Sequence, residues 1–494
     1  MVKRVERMSL FHHAIEKARE NLTIEKIVNW VDERIGFTNT MLRPAPSYTM
    51  NPLHWLGALA IMTFSLQVLT GFLMLLYYVP TPQQAYATTM FIMRNVPFGH
   101  VIETIHVYGA YAMILLAFLH MMHGYFSSAY KRPRELMWIV GMLMGFTTLG
   151  SGLTGYLLPW TVLSKSATDV SIGMINLMPP NIGNIIKYLA TGTGSDAEEL
   201  TRFFVLHILM IPTVLLLLFA GKMYMFEIHG ASEPPSQSSQ EVKFYPWFPR
   251  VLLYFAMIGS VYLSLLIAAS VVFPLSLPPE YSMSAAQHYT AQPDWYFLAV
   301  YQVLKFAIFE GNNEPVAMVL VTMAAILMAL LPFIDRSEKR PTTQRPLFST
   351  FGIIIIVELI VLTVWGYLTP GQTIENPQAL LGTGLPALAT AVTVWLVWRR
   401  RKADDESRRI SKPTRSGALK LLATPLKTPL LTVVFILLLL VGSLSFASFV
   451  NSLIAIESQT VLLIVSVTVL VTSFTAMTLI VKGLVRNNQA LKRT

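Results

Sequence analysis

The chain has 494 residues, of which 54% are hydrophobic and 13% charged, and a formal net charge of +10. With a positive mean hydropathy, this balance excludes an ordinary soluble domain and indicates a polytopic membrane protein. The basic excess lies in loops, where it reads as a topology signal rather than a nucleic-acid footprint. The absence of cysteine excludes disulfides, thioether-linked haem and any cysteine-ligated iron–sulfur cluster within the chain.

Residues 1–36 place Ile24, Ile27, Val28, Val31 and Ile35 at helical spacing opposite Glu25, Asp32, Glu33 and Arg34. This predicts an interfacial amphipathic helix, with no signal-peptide pattern before it. A Pro-rich link from Arg43 to Pro52 leads into apolar runs near 53–79, 102–126, 137–157, 203–226, 249–273, 315–334, 349–369 and 379–398, then 429–450 and 459–481. The expected fold is all-α, a polytopic transmembrane helical bundle of about ten spans. Lys and Arg collect before the first run, at Lys131, Arg132 and Arg134, at Arg336, Lys339, Arg340 and Arg345, from Arg399 to Lys427, and after Lys482. Those segments alternate with loops poor in basic residues, so they face the cytoplasm in the cell membrane, together with both termini. The chain divides into a cytoplasmic segment (1–50), a four-helix core (51–230), further helices (231–398), a basic linker lying at lipid headgroups (399–428) and two extra helices (429–494).

The run from Val101 to Phe126 carries His106 and His120, and intramembrane imidazoles are rare and face the protein interior. Fourteen residues apart, they return to nearly the same helix face, roughly 21 Å apart along the axis. The run from Thr201 to Phe226 repeats this in part, with His207 near its start and Lys222 fifteen residues on. A lone buried histidine more often satisfies a carbonyl than a metal. Here two apolar helices carry His106 and His207 at matching depth, and His is a common axial haem ligand. Two such helices face to face would hold two stacked haems. His12, His13, His54, His100, His229 and His288 fall in predicted loops or helix ends and read as solvated surface residues.

Several motifs then coincide with one family. Trp30–Ile35 (WVDERI), Gln67–Gly71 (QVLTG), Lys131–Glu135 (KRPRE), Gly155–Trp160 (GYLLPW) and Thr201–His207 (TRFFVLH) occur in matching order. Gly57 and Gly71 are fourteen apart, as are Gly141 and Gly155; glycine lets backbone approach a flat macrocycle closely, although packing glycines are common in membrane helices. Pro293-Asp294-Trp295-Tyr296 falls in a loop expected to face outward. Over roughly residues 24–398 the chain resembles cytochrome b of the quinol-oxidising cytochrome bc complexes, particularly the form split into two subunits in plastids.

The resemblance implies two haems, b-type or modified A-type, with His106 and His207 as outer ligands and His120 and Lys222 as the inner pair. The four glycines would lie against the macrocycles. It further implies that quinol docks between the 158–202 and 274–314 loops, with Pro293, Asp294, Trp295, Tyr296 and Tyr301 forming the oxidation site. One electron goes to a Rieske-type iron–sulfur protein and the other inward through the two haems; the partners implied are that protein, quinone and quinol, a downstream electron acceptor such as a terminal oxidase, and a second copy of the chain in a homodimer within a larger complex. Oxidised quinol loses two protons, and Asp294 is the candidate acceptor, although Asp294 also suits a helix cap. The chain departs from the family at Thr161-Val162, at His123, and at Lys222, which ligates iron or else reaches the surface toward a propionate or quinone. Two other readings compete: a haem-bearing anchor of another quinone-linked oxidoreductase, and a proton-coupled transporter using Glu103, Asp169 and Asp294.

Overall fold

The computed structural model describes residues 29–30, 32–34, 44–178, 180–235, 242–290 and 292–410. Apart from the helical residues 29–30 and 32–34, the amphipathic helix expected over 1–36 lies outside the described residues, as do 411–428 and the runs expected at 429–450 and 459–481. The chain divides into two compact units, Met1–Lys402 and Ala403–Thr494; the described part of the second, 403–410, is helical.

The helices are α1 (Leu56–Leu75), α2 (Ala85–Asn95), α3 (Gly99–Phe126), α4 (Glu135–Leu157), α5 (Val162–Asn176), α6 (Pro180–Thr191), α7 (Asp196–His229), α8 (Leu252–Val272), α9 (Leu298–Leu304), α10 (Glu314–Ala329), α11 (Pro346–Leu368) and α12 (Asn376–Ile410). Among the described residues, α1, α3, α4, α7, α8, α11 and the Asn376–Arg400 part of α12 are long and apolar enough to cross a membrane. The expected helical bundle is borne out. One element was not anticipated: β1 (Pro44–Pro46) pairs antiparallel with β2 (Phe244–Pro246), Pro44 opposite Pro246. The prolines lack donors, which keeps the pairing short.

The run expected as a span at 315–334 is shorter. α10 ends at Ala329, and one further turn follows at Leu331–Ile334. Pro332 cannot donate to the carbonyl of Met328 four residues back, and the Trp138 indole takes that acceptor instead, at 2.9 Å.

α1 packs on α3, α4 on α7, and α9 on α11. Buried threonines on these helices return their hydroxyls to the preceding turn, as Thr63 does to Leu59 O (2.7 Å) and Thr148 to Met144 O (2.9 Å), so polarity enters the bundle already satisfied. α7 begins where Ser195 accepts from the Glu198 N–H and Asp196, Glu198 and Glu199 occupy the first turn, matching the positive end of the helix dipole. Ten residues on, it passes through a π turn, Leu206–Met210, in which the Ile211 N–H bonds Leu206 O. Pro212 follows at once, leaving the carbonyl of Ile208 without its usual donor and the local ladder free to widen.

Candidate functional site

Four glycines lie against the four candidate ligands. A Cβ added at Gly71 would sit 3.5 Å from His106 Cε1, and one at Gly155 2.5 Å from His207 Cε1. A Cβ at Gly57 would sit 3.0 Å from His120 Cε1, and one at Gly141 3.0 Å from Lys222 Nζ. Each ligand therefore occupies the space that a glycine on α1 or α4 leaves open. The pairing joins residues from the first four long helices into two stations, one at each end of the bundle.

At the first station the His106 and His207 rings stand 6.2 Å apart between centroids. Two metal–imidazole bonds of about 2.0 Å each, with the ring offsets, span about that separation. His207 Nδ1 lies 3.0 Å from Ser151 O, which can only accept, so Nδ1 carries the proton. His106 Nδ1 lies 2.8 Å from the Thr70 hydroxyl, whose own proton goes to Leu66 O. Both tautomers therefore leave Nε2 free as an axial ligand. Among the described residues no cluster of three or more His, Cys, Asp or Glu side chains could hold a bare metal ion. The donor set suits an iron that brings its own equatorial ligands.

At the second station the buried His120 Nδ1 has no hydrogen-bond partner among the described residues, and Lys222 is within electrostatic reach of the ring. The π turn accounts for the unequal spacing. An i→i+5 turn takes up one residue more than an α turn, so the fifteen residues from His207 to Lys222 cover the phase that fourteen cover on α3. His123 is on the same helix as His120 and packs edge-on against His54, 5.1 Å between centroids. Two expectations need correction. His54 is packed between His123 and Tyr48, and His100 Nε2 donates to Leu275 O at 2.8 Å; neither is a solvated surface residue, because each sits where a loop closes on a helix end. His288 is exposed, as expected.

The segment Pro293–Tyr296 lies beside the His106 end of α3, where Tyr111 meets Trp295 and Tyr296, whereas Tyr301 lies apart against Gly371 and Lys305. Trp160 has positive φ (53°), and this turn aims Thr161 at the next outer loop. The Tyr281 N–H donates to Trp160 O (3.1 Å) and the Val162 N–H to Pro279 O (2.9 Å). Thr161, where the chain departs from the family pattern, forms a capping box with Ser164 that starts α5. The 158–202 and 274–314 loops are thus fastened together. Asp294 precedes the single turn Trp295–Phe297 and accepts from the Trp295 N–H at 2.8 Å, the cap foreseen as its alternative role. Tyr111 of α3 stands beside this turn, its ring 6.2 Å from that of Trp295 and 6.4 Å from that of Tyr296. Burial raises the Asp294 carboxyl above the usual carboxylate range, and the Trp295 N–H and the nearby Tyr111 side chain pull the other way. Tyr296 is packed against Gly152, where an added Cβ would sit 3.0 Å from its hydroxyl. Half-buried Pro293 fixes the backbone entering the turn. Tyr301 accepts from the Gly371 N–H (3.1 Å), while Lys305 stands 4.9 Å over its ring and donates to Thr369. Burial lowers the Lys305 ammonium to about 8.

Asp169 is held by Lys165, which also reaches Glu199 at 3.4 Å; Glu103 is buried one turn before His106. Sequence reasoning missed Tyr111 and the hydroxyls that orient the imidazoles. For the latter a signal existed: Leu-Thr-Gly stands at 69–71 and again at 153–155. In both, the threonine hydroxyl lies at the Nδ1 of the imidazole that the glycine admits, 2.8 Å for Thr70 and 3.4 Å for Thr154.

A family model described as "Cytochrome b(N-terminal)/b6/petB" matches residues 111–279, and "Cytochrome b(C-terminal)/b6/petD" matches 283–383. A cytochrome bc complex cytochrome b subunit from Chlorobaculum thiosulfatiphilum is 33% identical over 346 residues, 69% of this chain and 80% of the relative. Cytochrome b from Sulfolobus acidocaldarius is 31% identical over 453 residues, 85% of this chain and 78% of the relative. A chain of a solved hyperthermophilic respiratory Complex III aligns with TM-score 0.61 and 27% identity, covering 75% of this chain and 96% of that one.

Proposed function

As the chain belongs to the cytochrome b family of bc-type respiratory complexes, membrane assemblies in which it is a redox subunit, we propose that it is a dihaem cytochrome b that oxidises quinol beside Asp294. The single observation that carries this is the pairing of Gly71, Gly155, Gly57 and Gly141 with His106, His207, His120 and Lys222. Haem, when bound, supplies a one-electron carrier at each station; whether it is b-type or a modified A-type is a matter of the group itself. His106 and His207 hold the outer one through Nε2, oriented by Thr70 and Ser151. His120 and Lys222 hold the inner one.

Quinol enters between the joined outer loops and gives up two electrons and two protons. One electron goes to a Rieske-type iron–sulfur partner, necessarily a separate chain since this one has no cysteine. The other would pass inward by way of haems held at the two stations, toward quinone, and an acceptor such as a terminal oxidase would lie downstream of the complex. Asp294 takes one proton and the other leaves to the outer aqueous phase; the carboxyl is half-buried beside the outer station, and burial raises it toward the range of a useful base. Trp295 and Tyr296 flank Asp294 with half-buried rings. Tyr301 and Pro293 set the backbone on either side. The working form is a homodimer in a larger complex, embedded in lipid with both termini cytoplasmic.

The test is a reduced-minus-oxidised spectrum of the purified protein, with haem extraction. Two haems per chain are expected, and His106→Ala should remove one band set and spare the other. A protein without haem, or a variant that keeps both band sets, overturns the reading.

A further inference from the structure

The geometry points to Lys165 as a positioning residue for quinol oxidation: its ammonium fastens the 158–202 loop to the 274–314 loop along the quinol entrance. The inference rests on the quinol-oxidation reading above and deepens it.

An ammonium is rarely buried without partners, because taking it out of water costs more than packing returns. The Lys165 side chain, in the first turn of α5, is only 7% exposed. It bonds Asp169, one turn on in the same helix, and its Nζ lies 3.4 Å from Glu199 and 3.6 Å from Asp196, both in the first turn of α7. A single side chain thus ties the beginning of the 158–202 loop to its end. Two rings stand on the same ammonium. The centroids of Trp160 and Tyr281 are each 5.9 Å from Nζ, and the rings meet edge-on. Trp160 belongs to the first outer loop and Tyr281 to the second.

The partners are not equivalent. At 5.9 Å the rings stand near the limit of cation–π attraction, about 6 Å, so the carboxylates set the position. Asp169 and Asp196 are half-exposed and screened by water. The Glu199 side chain is 6% exposed, and its Oε1 has no hydrogen-bond partner among the described residues. Lys165 is therefore the cation that balances a buried charge. Burial alone would discharge the ammonium, yet the bond to Asp169 and the charges of Glu199 and Asp196 hold it above its usual value. Beyond Tyr281 the second loop runs on to Pro293–Tyr296. Binding groups carried on two loops keep their spacing only if the loops cannot slide, and a buried charge paired across the seam resists sliding. Asp169, weighed from sequence as a transporter coupling site, is a partner of this lysine instead.

Lys165→Met keeps the stem and removes the charge. In the assembled complex, steady-state oxidation of a short-chain quinol, read as KM and kcat separately, tests the inference, while haem spectra and a melting curve report assembly. Loosened walls weaken quinol equally before and at the transition state, so KM should rise roughly tenfold while kcat stays within about twofold. Lys165→Arg, which returns a cation, should bring KM back to within about threefold of the parent. A parent KM in Lys165→Met, with only the melting point lowered, means that the cluster stabilises the fold and nothing more, and overturns the inference; so does an arginine variant no better than the methionine one. If Lys165→Met does not assemble, its combination with Glu199→Gln leaves no buried charge stranded and should show the same rise in KM. A parent KM in that double variant counts equally against the inference. A parent complex that oxidises no quinol removes the functional reading and this inference with it, whereas parent KM values in variants of an active complex remove the inference alone.

Discussion

Lys222 is the residue at which the two stations differ. Only a neutral amine can bind iron, and at an ordinary lysine pKa near 10.4, releasing its proton at pH 7 costs roughly 4 to 5 kcal/mol. An iron–nitrogen bond has to supply that, whereas a neutral histidine starts without the cost. Lys222→His and Lys222→Met should each alter the low-temperature spin-resonance and near-infrared magnetic circular dichroism signals of the inner haem. The outer signals should remain as in the parent. Inner signals identical in all three proteins would rule out ligation by Lys222. The position of this lysine was legible from spacing, but its phase was not: a count of fifteen residues puts it roughly 100° away from the fourteen-residue register. The π turn that corrects it depends on where backbone carbonyls go after Pro212, which side-chain periodicity does not report. Tyr111 was illegible for a different reason, since the rings it meets, Trp295 and Tyr296, are 184 and 185 positions away in sequence and long-range contacts leave no local pattern.

Elements are held in register by a buried knot at the end of the bundle opposite the Pro293–Tyr296 segment. Asp335, between the last turn after α10 and the start of α11, accepts from Tyr130 (2.6 Å), Lys131 (3.0 Å) and Arg345 (2.7 Å). The Asp335 and Arg345 side chains are 0% and 2% exposed, so the pair is shielded from water. Burial pushes the Asp335 carboxyl up, but the hydrogen bonds from Tyr130, Lys131 and Arg345 outweigh it and hold it below the usual range. A carboxyl depressed in the folded state contributes stability that is full above its unfolded value near 3.9 and fades as pH falls through the folded value. Asp335→Ala strands Arg345 and should cost about 3–5 kcal/mol, the usual result of removing one partner of a buried pair. Thermal melts of parent and variant in detergent at pH 7 should differ clearly and converge as the pH drops below 4. Equal melting at pH 7 would show that the knot is not stabilising. Sequence marked Lys131 and Arg345 only as inside-facing charge; their convergence on one carboxylate follows from the return of α11 beside α3.

At the scale of the whole molecule, apolar runs carried most of the architecture of the described residues, because a bilayer permits few structures other than helices of sufficient length. They misjudged 315–334, where Pro332 ends the helix early, and they were blind to the β1–β2 pairing. The proposed orientation predicts a protease pattern. Trypsin should cut within the basic block 399–428 in inside-out vesicles and leave it intact in sealed right-side-out cells; the reverse pattern would invert the topology. That orientation gives the two glycine-lined stations an electrical meaning. His106 and His120 lie roughly 21 Å apart along α3, about two-thirds of a hydrocarbon core of about 30 Å. Under the proposed function, an electron moving inward between haems held there would travel toward the negative side of an energised membrane, against that fraction of the voltage. At 100 mV, a full charge crossing corresponds to about 2.3 kcal/mol, so this step works against roughly 70 mV. For electrons to keep moving in a charged membrane, the inner site needs a midpoint potential above the outer one by at least that much. The difference between His207 and Lys222 as partners is one place where the protein can set it.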